Sequence, residues 1–258
     1  MTKFCFIPSL VLATIVWTSL IVLSTAESLQ CVHPPSVWCS DQAIAKACQV
    51  EKQCERWNLG SAKALPVGIA LYYESLCPGC REFIAEQLYP TWQKVGNDVL
   101  NVTLVPYGNA KENLVDNKWV FTCQHGAQEC LGNILETCIL YVAKDFTTAF
   151  ESIHCMEASD DPTTSASKCC AQFDLNYDQV SSCVNSSLGN KLEHEMAMRT
   201  ESLDPPHQYT PWITLNGVHT DAIQDKAQSD LLSLVCETYQ GTPPAACSTN
   251  QNVCPRKV

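Results

Sequence analysis

Residues 72–83, YYESLCPGCREF, hold the two cysteines on which the reading of this 258-residue chain turns. Cys77 and Cys80 stand two residues apart. Such a pair serves as half of a metal clamp, as a structural crosslink or as a redox couple. The flanks bear on the choice. Before it, VGIALYY is an apolar run of strand length with Val67, Ile69 and Leu71 on one face. After it, REFIAEQLYPTWQKV sets Phe83, Ile84, Leu88 and Trp92 on a helical stripe, which Pro90 is expected to kink or end. DVLNVTLVPYG then alternates, with Leu100, Val102 and Leu104 facing one way and Asn101 and Thr103 the other. The cysteines therefore fall at the first strand-to-helix junction of a strand, helix, strand unit.

At that junction Cys77 meets the free N–H groups and the positive dipole end of a helix, both of which stabilise a thiolate. Cys80 lies one turn in and is shielded. Cys77 can attack a substrate disulfide, and Cys80 can resolve the mixed disulfide. Pro78-Gly79 forces a tight helix start and keeps the first sulfur accessible. In an isolated pair a staple or a metal knuckle is the commoner use, so it is the strand-to-helix context that favours redox chemistry. A second zinc-type pair is absent, and neither a metal nor another cofactor is expected.

The N-terminus bears on compartment. Lys3, the apolar run 4–23 and Ser24 and Ala26 before a cleavage point read as a secretory signal peptide, 1–26, with an uncleaved membrane anchor as the alternative, since the run is long for a signal. Cleavage leaves 16 of the 17 cysteines, and a secretory route with so many implies disulfides. Sequons at Asn101 and Asn185 fit a glycosylated lumenal or extracellular protein. The remaining 15 basic and 27 acidic residues argue against nucleic acid and anionic membranes as partners. No second stretch is apolar enough to span a bilayer, so no membrane insertion is expected after cleavage.

Cys31, Cys39, Cys48 and Cys54 lie in a segment too short for a core of its own, which needs two disulfides. With its Pro-Pro and Trp-Cys pairs, it resembles the saposin A-type module over about 27 residues. This gives a module at 27–57 and a linker at 58–66. From 111 to 204 the patterns read as mostly helical and cysteine-rich. Leu131, Leu135, Cys138 and Val142 form one stripe, and SLGNKLEHEMAMRT is a second helix. His194 lacks the second histidine of a zinc protease and reads as helix surface. The adjacent Cys169 and Cys170 cannot bond each other without strain, so each is expected to pair elsewhere. TPWITLNGVHT reads as a strand and a tight turn at Asn216-Gly217 leading to another strand, followed by a last helix. The tail, 241–258, reads as flexible.

The order is strand, helix, strand, helical insert, strand, hairpin, helix. With the cysteine pair where it is, this resembles an α/β thioredoxin-like fold, 67–240, carrying a helical insertion at about 111–204. The resemblance places a cis proline at Pro211, opposite the cysteines, with Thr210 offering backbone groups to substrate. From the residues alone, a trans proline opening an edge strand remains open.

One further stretch names a family. CQHGAQECLGNILETC supplies Cys123, Gln124, His125, Gly126, Glu129, Cys130, Asn133 and Cys138 at the spacing of the signature of gamma-interferon-inducible lysosomal thiol reductases. NVTLVPYGNA and PPHQYTPWITLNG resemble that family too. Read without it, Cys123, His125, Cys130 and Cys138 are zinc ligands of unusual spacing or, better, members of structural disulfides, with His125 a polar loop residue or a proton-transfer group. The resemblance implies a soluble reductase of protein disulfides in an acidic endosomal, lysosomal or secreted setting. Its active pair would be Cys77 and Cys80, supplied with electrons by a small thiol or a protein. The rivals are an oxidase or isomerase on the same fold, and a non-catalytic, disulfide-stapled binding module.

Overall fold

The computed structural model describes residues 37–39, 42–54 and 64–248. The signal peptide, Cys31 and Cys254 lie outside the described residues. Of the N-terminal module, helix α1 (Gln42–Ala47) is followed by a helical turn at 51–54. Cys39 bonds Cys54, and Cys48 is also disulfide-bonded.

Strand β1 (Val67–Tyr73) buries every second side chain, as its alternation predicts. It is the centre of a three-stranded sheet. On one side it pairs in parallel with β2 (Leu100–Pro106), Val67 opposite Leu100. On the other it pairs antiparallel with β5 (Trp212–Leu215), Leu71 opposite Ile213. A continuous helical run connects β1 to β2: α2 (Pro78–Glu82), a π-helical turn (Phe83–Leu88) and α3 (Tyr89–Val95). Pro90 does not end this run. The π turn lies just ahead of it, with Tyr89 N–H donating to Ile84 O, so the ladder is already re-phased where proline has no donor to offer.

The insertion is not all helix. Strands β3 (Lys111–Val115) and β4 (Lys118–Thr122) form a hairpin whose turn residues, Asp116 and Asn117, both take positive φ. Five helices follow: α4 (Ala127–Val142), α5 (Phe146–Glu157), α6 (Pro162–Gln172), α7 (Tyr177–Val184) and α8 (Ser187–Glu201). Asp145, Asp161, Asn176 and Ser186 cap the last four by accepting backbone N–H bonds. Helices α4 and α8 pack on β2, and α5 packs on the π turn. Disulfides Cys138–Cys183 and Cys155–Cys169 tie α4 to α7 and α5 to α6.

Several expectations are corrected here. Leu131 is exposed, and α4 instead buries Glu129, Asn133, Glu136 and Thr137 beside Leu135 and Cys138. Among the described residues Cys170 has no disulfide partner: it is free and buried in the core beside the bonded Cys169, and burial pushes its thiol up to about 11. His194 is not bare helix surface. It stacks on Trp119 and bonds Glu112, docking α8 onto the hairpin. After Asn216 and Gly217 there is one bridge, Leu215 with Val218, rather than a strand, because Thr220 already caps α9 (Asp221–Thr238). Part of the tail is ordered as α10 (Ala245–Ser248), held by Cys236–Cys247.

With β1 between a parallel and an antiparallel neighbour, a helix opening at its C-terminal end, and a last helix packed on β5, the fold is thioredoxin-like with an insertion after β2. Among the described residues, no helix is long and apolar enough to cross a membrane.

Candidate active site

The site forms where β1 ends. Cys77 is the N-cap of α2, with φ −68° and ψ 119°, and its carbonyl accepts from Cys80 N and Arg81 N, both at 3.1 Å. Pro78 occupies the first helical turn, where a missing N–H costs nothing. The Thr210–Pro211 peptide is cis, and it brings Thr210 over the pair. The Thr210 hydroxyl lies 3.6 Å from Cys77 Sγ, and its carbonyl lies 4.0 Å from the same sulfur. Gln224 fixes this segment from α9. It accepts from Ile213 N at 3.0 Å and donates to Pro211 O at 2.9 Å.

The two sulfurs are not equivalent. The Cys80 thiol, the Thr210 hydroxyl and the N–H groups of Cys80 and Gly79 stabilise negative charge on Cys77. Together they outweigh partial burial and lower its pKa to about 6. Cys80 is fully buried, and desolvation together with the neighbouring Cys77 pushes its thiol well above the usual range.

The signature residues converge on this place. Cys123–Cys130 staples the loop after β4 to the start of α4. His125 shares its ring Nδ1 with Glu129 and lies 3.7 Å from Glu74. Its backbone N–H also donates to Glu129 at 2.9 Å. Asn133 accepts from Ser75 N at 3.0 Å, and Ser75 Oγ donates to Glu129 O at 3.1 Å, so α4 grips the loop that carries the cysteines. Gln124 accepts from the side chain of Asn109 at 2.8 Å. Gly126 caps α4, and Cys138 serves the disulfide to α7.

Glu74 also faces the site and completes this cluster. Its carboxylate accepts from Asn109 N at 2.8 Å and from the Thr210 hydroxyl at 3.4 Å. Burial, the charge of Glu129 and that of Cys77 raise its pKa to about 7, against the pull of Asn109 and His125. Its place, three residues before Cys77 at the end of a buried strand, was the available signal. Ligand atoms of Glu74, His125 and Glu129 lie within 4.8 Å of one another, but the histidine already bridges the two carboxylates.

Below the pair lies a second acidic group. Tyr73 donates to Glu136, which faces Glu157, and Arg81 donates to Glu157 O at 3.1 Å. Two carboxyls in a dry core cannot both ionise, so burial and mutual repulsion raise Glu157. The two sequon asparagines, Asn101 on β2 and Asn185 at the end of α7, are exposed.

A dithiol at a helix start, facing a cis proline on this topology, defines a thiol–disulfide oxidoreductase of thioredoxin-like fold. Sequence comparisons with known proteins agree. Residues 68–173 match the family model described as gamma interferon inducible lysosomal thiol reductase (GILT). A "Gamma-interferon-inducible lysosomal thiol reductase" of Carassius auratus is 48% identical over 84% of this chain and 84% of its own length. The protein of the same name from Mus musculus is 42% identical over 75% and 76%. A solved DsbA of Mycobacterium tuberculosis aligns with 73% of this chain and 95% of its own at 16% identity and a TM-score of 0.46. The chain belongs to the gamma-interferon-inducible lysosomal thiol reductase family.

Proposed function

We propose that this enzyme reduces disulfides of protein substrates in an acidic endosomal, lysosomal or secreted setting, with Cys77 attacking and Cys80 resolving. The asymmetry of the pair carries the reading: Cys77 is the readily ionised sulfur, its pKa lowered to about 6, while Cys80 is buried and protonated. At pH ~4.5 a thiol of pKa about 6 is about 3% ionised, whereas an unperturbed thiol near ~8.5 is about 0.01% ionised. Glu74 would oppose the thiolate if charged, and acid neutralises it. Thr210 and Pro211 supply the surface against which an extended substrate docks. The names of the relatives support the lysosomal setting, and exposure of Asn101 and Asn185 supports glycosylation on a secretory route. The division into signal peptide, saposin A-type module (27–57) and reductase domain (67–240) is part of the same proposal. The test is trapping with a disulfide-bonded protein. Cys80→Ser should accumulate a mixed disulfide through Cys77, and Cys77→Ser should form none. Normal turnover by Cys80→Ser would refute the assignment.

A further inference from the structure

Disulfide exchange moves protons as well as electrons, and both sulfurs are buried. Cys80 is fully buried, and Cys77 is 8% exposed. The polar side-chain atom that reaches the pair is the Thr210 hydroxyl, 3.6 Å from Cys77 Sγ, and it also favours negative charge on Cys80. On its far side, at 3.4 Å, stands the Glu74 carboxylate, 1% exposed. Glu74 is followed at 3.7 Å by His125, whose side chain is 35% exposed, so the cluster runs from the buried sulfurs to solvent. Gly108, at φ +59°, seals the flank. A Cβ there would fall 2.4 Å from Glu74 Cγ and 2.9 Å from Thr210 Cγ2, so the Gly108 backbone packs directly against both side chains.

Resting on the assignment of Cys77 and Cys80 as the reactive pair, we propose that Glu74 is the acid–base residue of the reaction. It exchanges protons with the sulfurs through the Thr210 hydroxyl, and His125, held by Glu129, links it to solvent. The groups facing Glu74 are Cys77 from the start of α2, Glu129 from α4, His125 from the loop before α4, the Asn109 N–H and Thr210. Those facing Cys77 are Cys80, Thr210 and the N–H groups of Cys80 and Gly79, with Glu157 below.

The balance closes without an outside proton. The reduced site starts with Cys77 as thiolate, Cys80 as thiol and Glu74 neutral. Cys77 Sγ attacks one sulfur of the substrate disulfide, the substrate S–S bond breaks, and its electron pair leaves on the other sulfur. That sulfur takes the Glu74 proton, passed by way of His125 or Thr210. Glu74, now a carboxylate, accepts the proton of Cys80 through Thr210. The Cys80 sulfur attacks Cys77 Sγ, the bond to the substrate sulfur breaks, and the second substrate thiolate takes the same proton. Two electrons pass to the substrate, which gains two protons, and the site is left as a disulfide with Glu74 ionised. Reaction thus needs Cys77 ionised and Glu74 protonated, which gives a bell-shaped profile between about 6 and about 7.

The experiment is single turnover by fully reduced, full-length enzyme on a self-quenched, disulfide-linked peptide from pH ~4.5 to ~9. Wild type should give the bell. Glu74→Gln should lower the maximal rate about 100-fold and lose the limb near 7. Alkylation of its Cys77 at pH ~9 should stay within about threefold of wild type, because the amide preserves the packing. Glu74→Asp should retain the limb. His125→Asn removes a cation beside Glu74 and leaves Glu129, so the limb should move to higher pH, which loss of structure alone would not cause. If Glu74→Gln fails to fold, His125→Asn and Glu74→Asp decide. The proposal is overturned if Glu74→Gln keeps the wild-type rate and limb, or if His125→Asn lowers the rate evenly with the limb unmoved. Wild-type activity in Cys77→Ser would instead overturn the assignment of the pair, a result that none of the Glu74 outcomes imitates.

Discussion

Replacing Gly132 with alanine tests how the cysteine loop is held. Gly132 sits in α4 with its Cα against Ser75, two residues before Cys77. An added Cβ would lie 2.2 Å from Ser75 Oγ and 2.8 Å from Ser75 Cβ. Carbon atoms in contact prefer ~3.5–4.0 Å, so loop or helix must retreat by about 1 Å. Rotating the hydroxyl does not relieve the clash with Cβ. Retreat also stretches the bonds from Ser75 N to Asn133 and from Ser75 Oγ to Glu129 O. Overpacking of this kind costs about 1–3 kcal/mol, while alanine gains about 1 kcal/mol over glycine inside a helix. The expected net loss for Gly132→Ala is about 1 kcal/mol. In a Ser75→Gly background both offending atoms are gone, and the nearest remaining atom, Thr163 Cγ2 at 3.5 Å, is an ordinary contact. There the same substitution should stabilise by about 1 kcal/mol, a coupling of about 2 kcal/mol. Urea unfolding of the four proteins measures it. If Gly132→Ala stabilises to the same extent in both backgrounds, α4 does not press on the cysteine loop and the reasoning fails.

Two further outcomes follow from the charges. Thr210→Val removes a hydroxyl from the Cys77 thiolate and should raise the titration point of that thiol by up to about one pH unit, read from the pH dependence of alkylation. Glu74, Glu157 and Glu193 have pKa values raised chiefly by burial, so the folded state binds protons that the unfolded state releases. Their contribution is fully present below the ordinary glutamate value near ~4.3 and is lost as pH rises through about 7 and beyond. The protein with Cys77 and Cys80 oxidised, in which neither thiol titrates, should therefore unfold at higher urea at pH ~4.5 than at pH ~7.5. A midpoint that rises with pH would contradict this assignment.

The elements that frame the site were legible because their signals are local. Strands β1 and β2 alternate, the cysteines mark the junction, and Asn216-Gly217 marks a turn. The β3–β4 hairpin was missed because its side chains lie largely exposed and its Asp116-Asn117 turn carries no glycine. Pro90 misled because the π turn that accommodates it leaves no mark in the hydrophobic stripe. The buried face of α4 was misread because it packs carboxyls and an asparagine against the cysteine loop and the core, where periodicity expects leucine. Within the site, His125 and Glu129 are a visible i, i+4 pair, but Glu74 stands some fifty residues earlier, and Thr210 later still. Only the fold brings His125, Glu129 and Thr210 around Glu74, beside Cys77.

The most direct measurement of the central claim is residue-resolved alkylation of the reduced, folded protein with iodoacetamide, followed by mass spectrometry across pH ~4 to ~10. Cys77 should be labelled alone, along a single titration near pH 6, with Cys80 protected by burial and a raised pKa, and Cys170 by burial in the core. Labelling of Cys77 that rises only near pH ~8.5, the value of an unperturbed thiol, or equal labelling of Cys77 and Cys80, would contradict an attacking thiolate at the helix start.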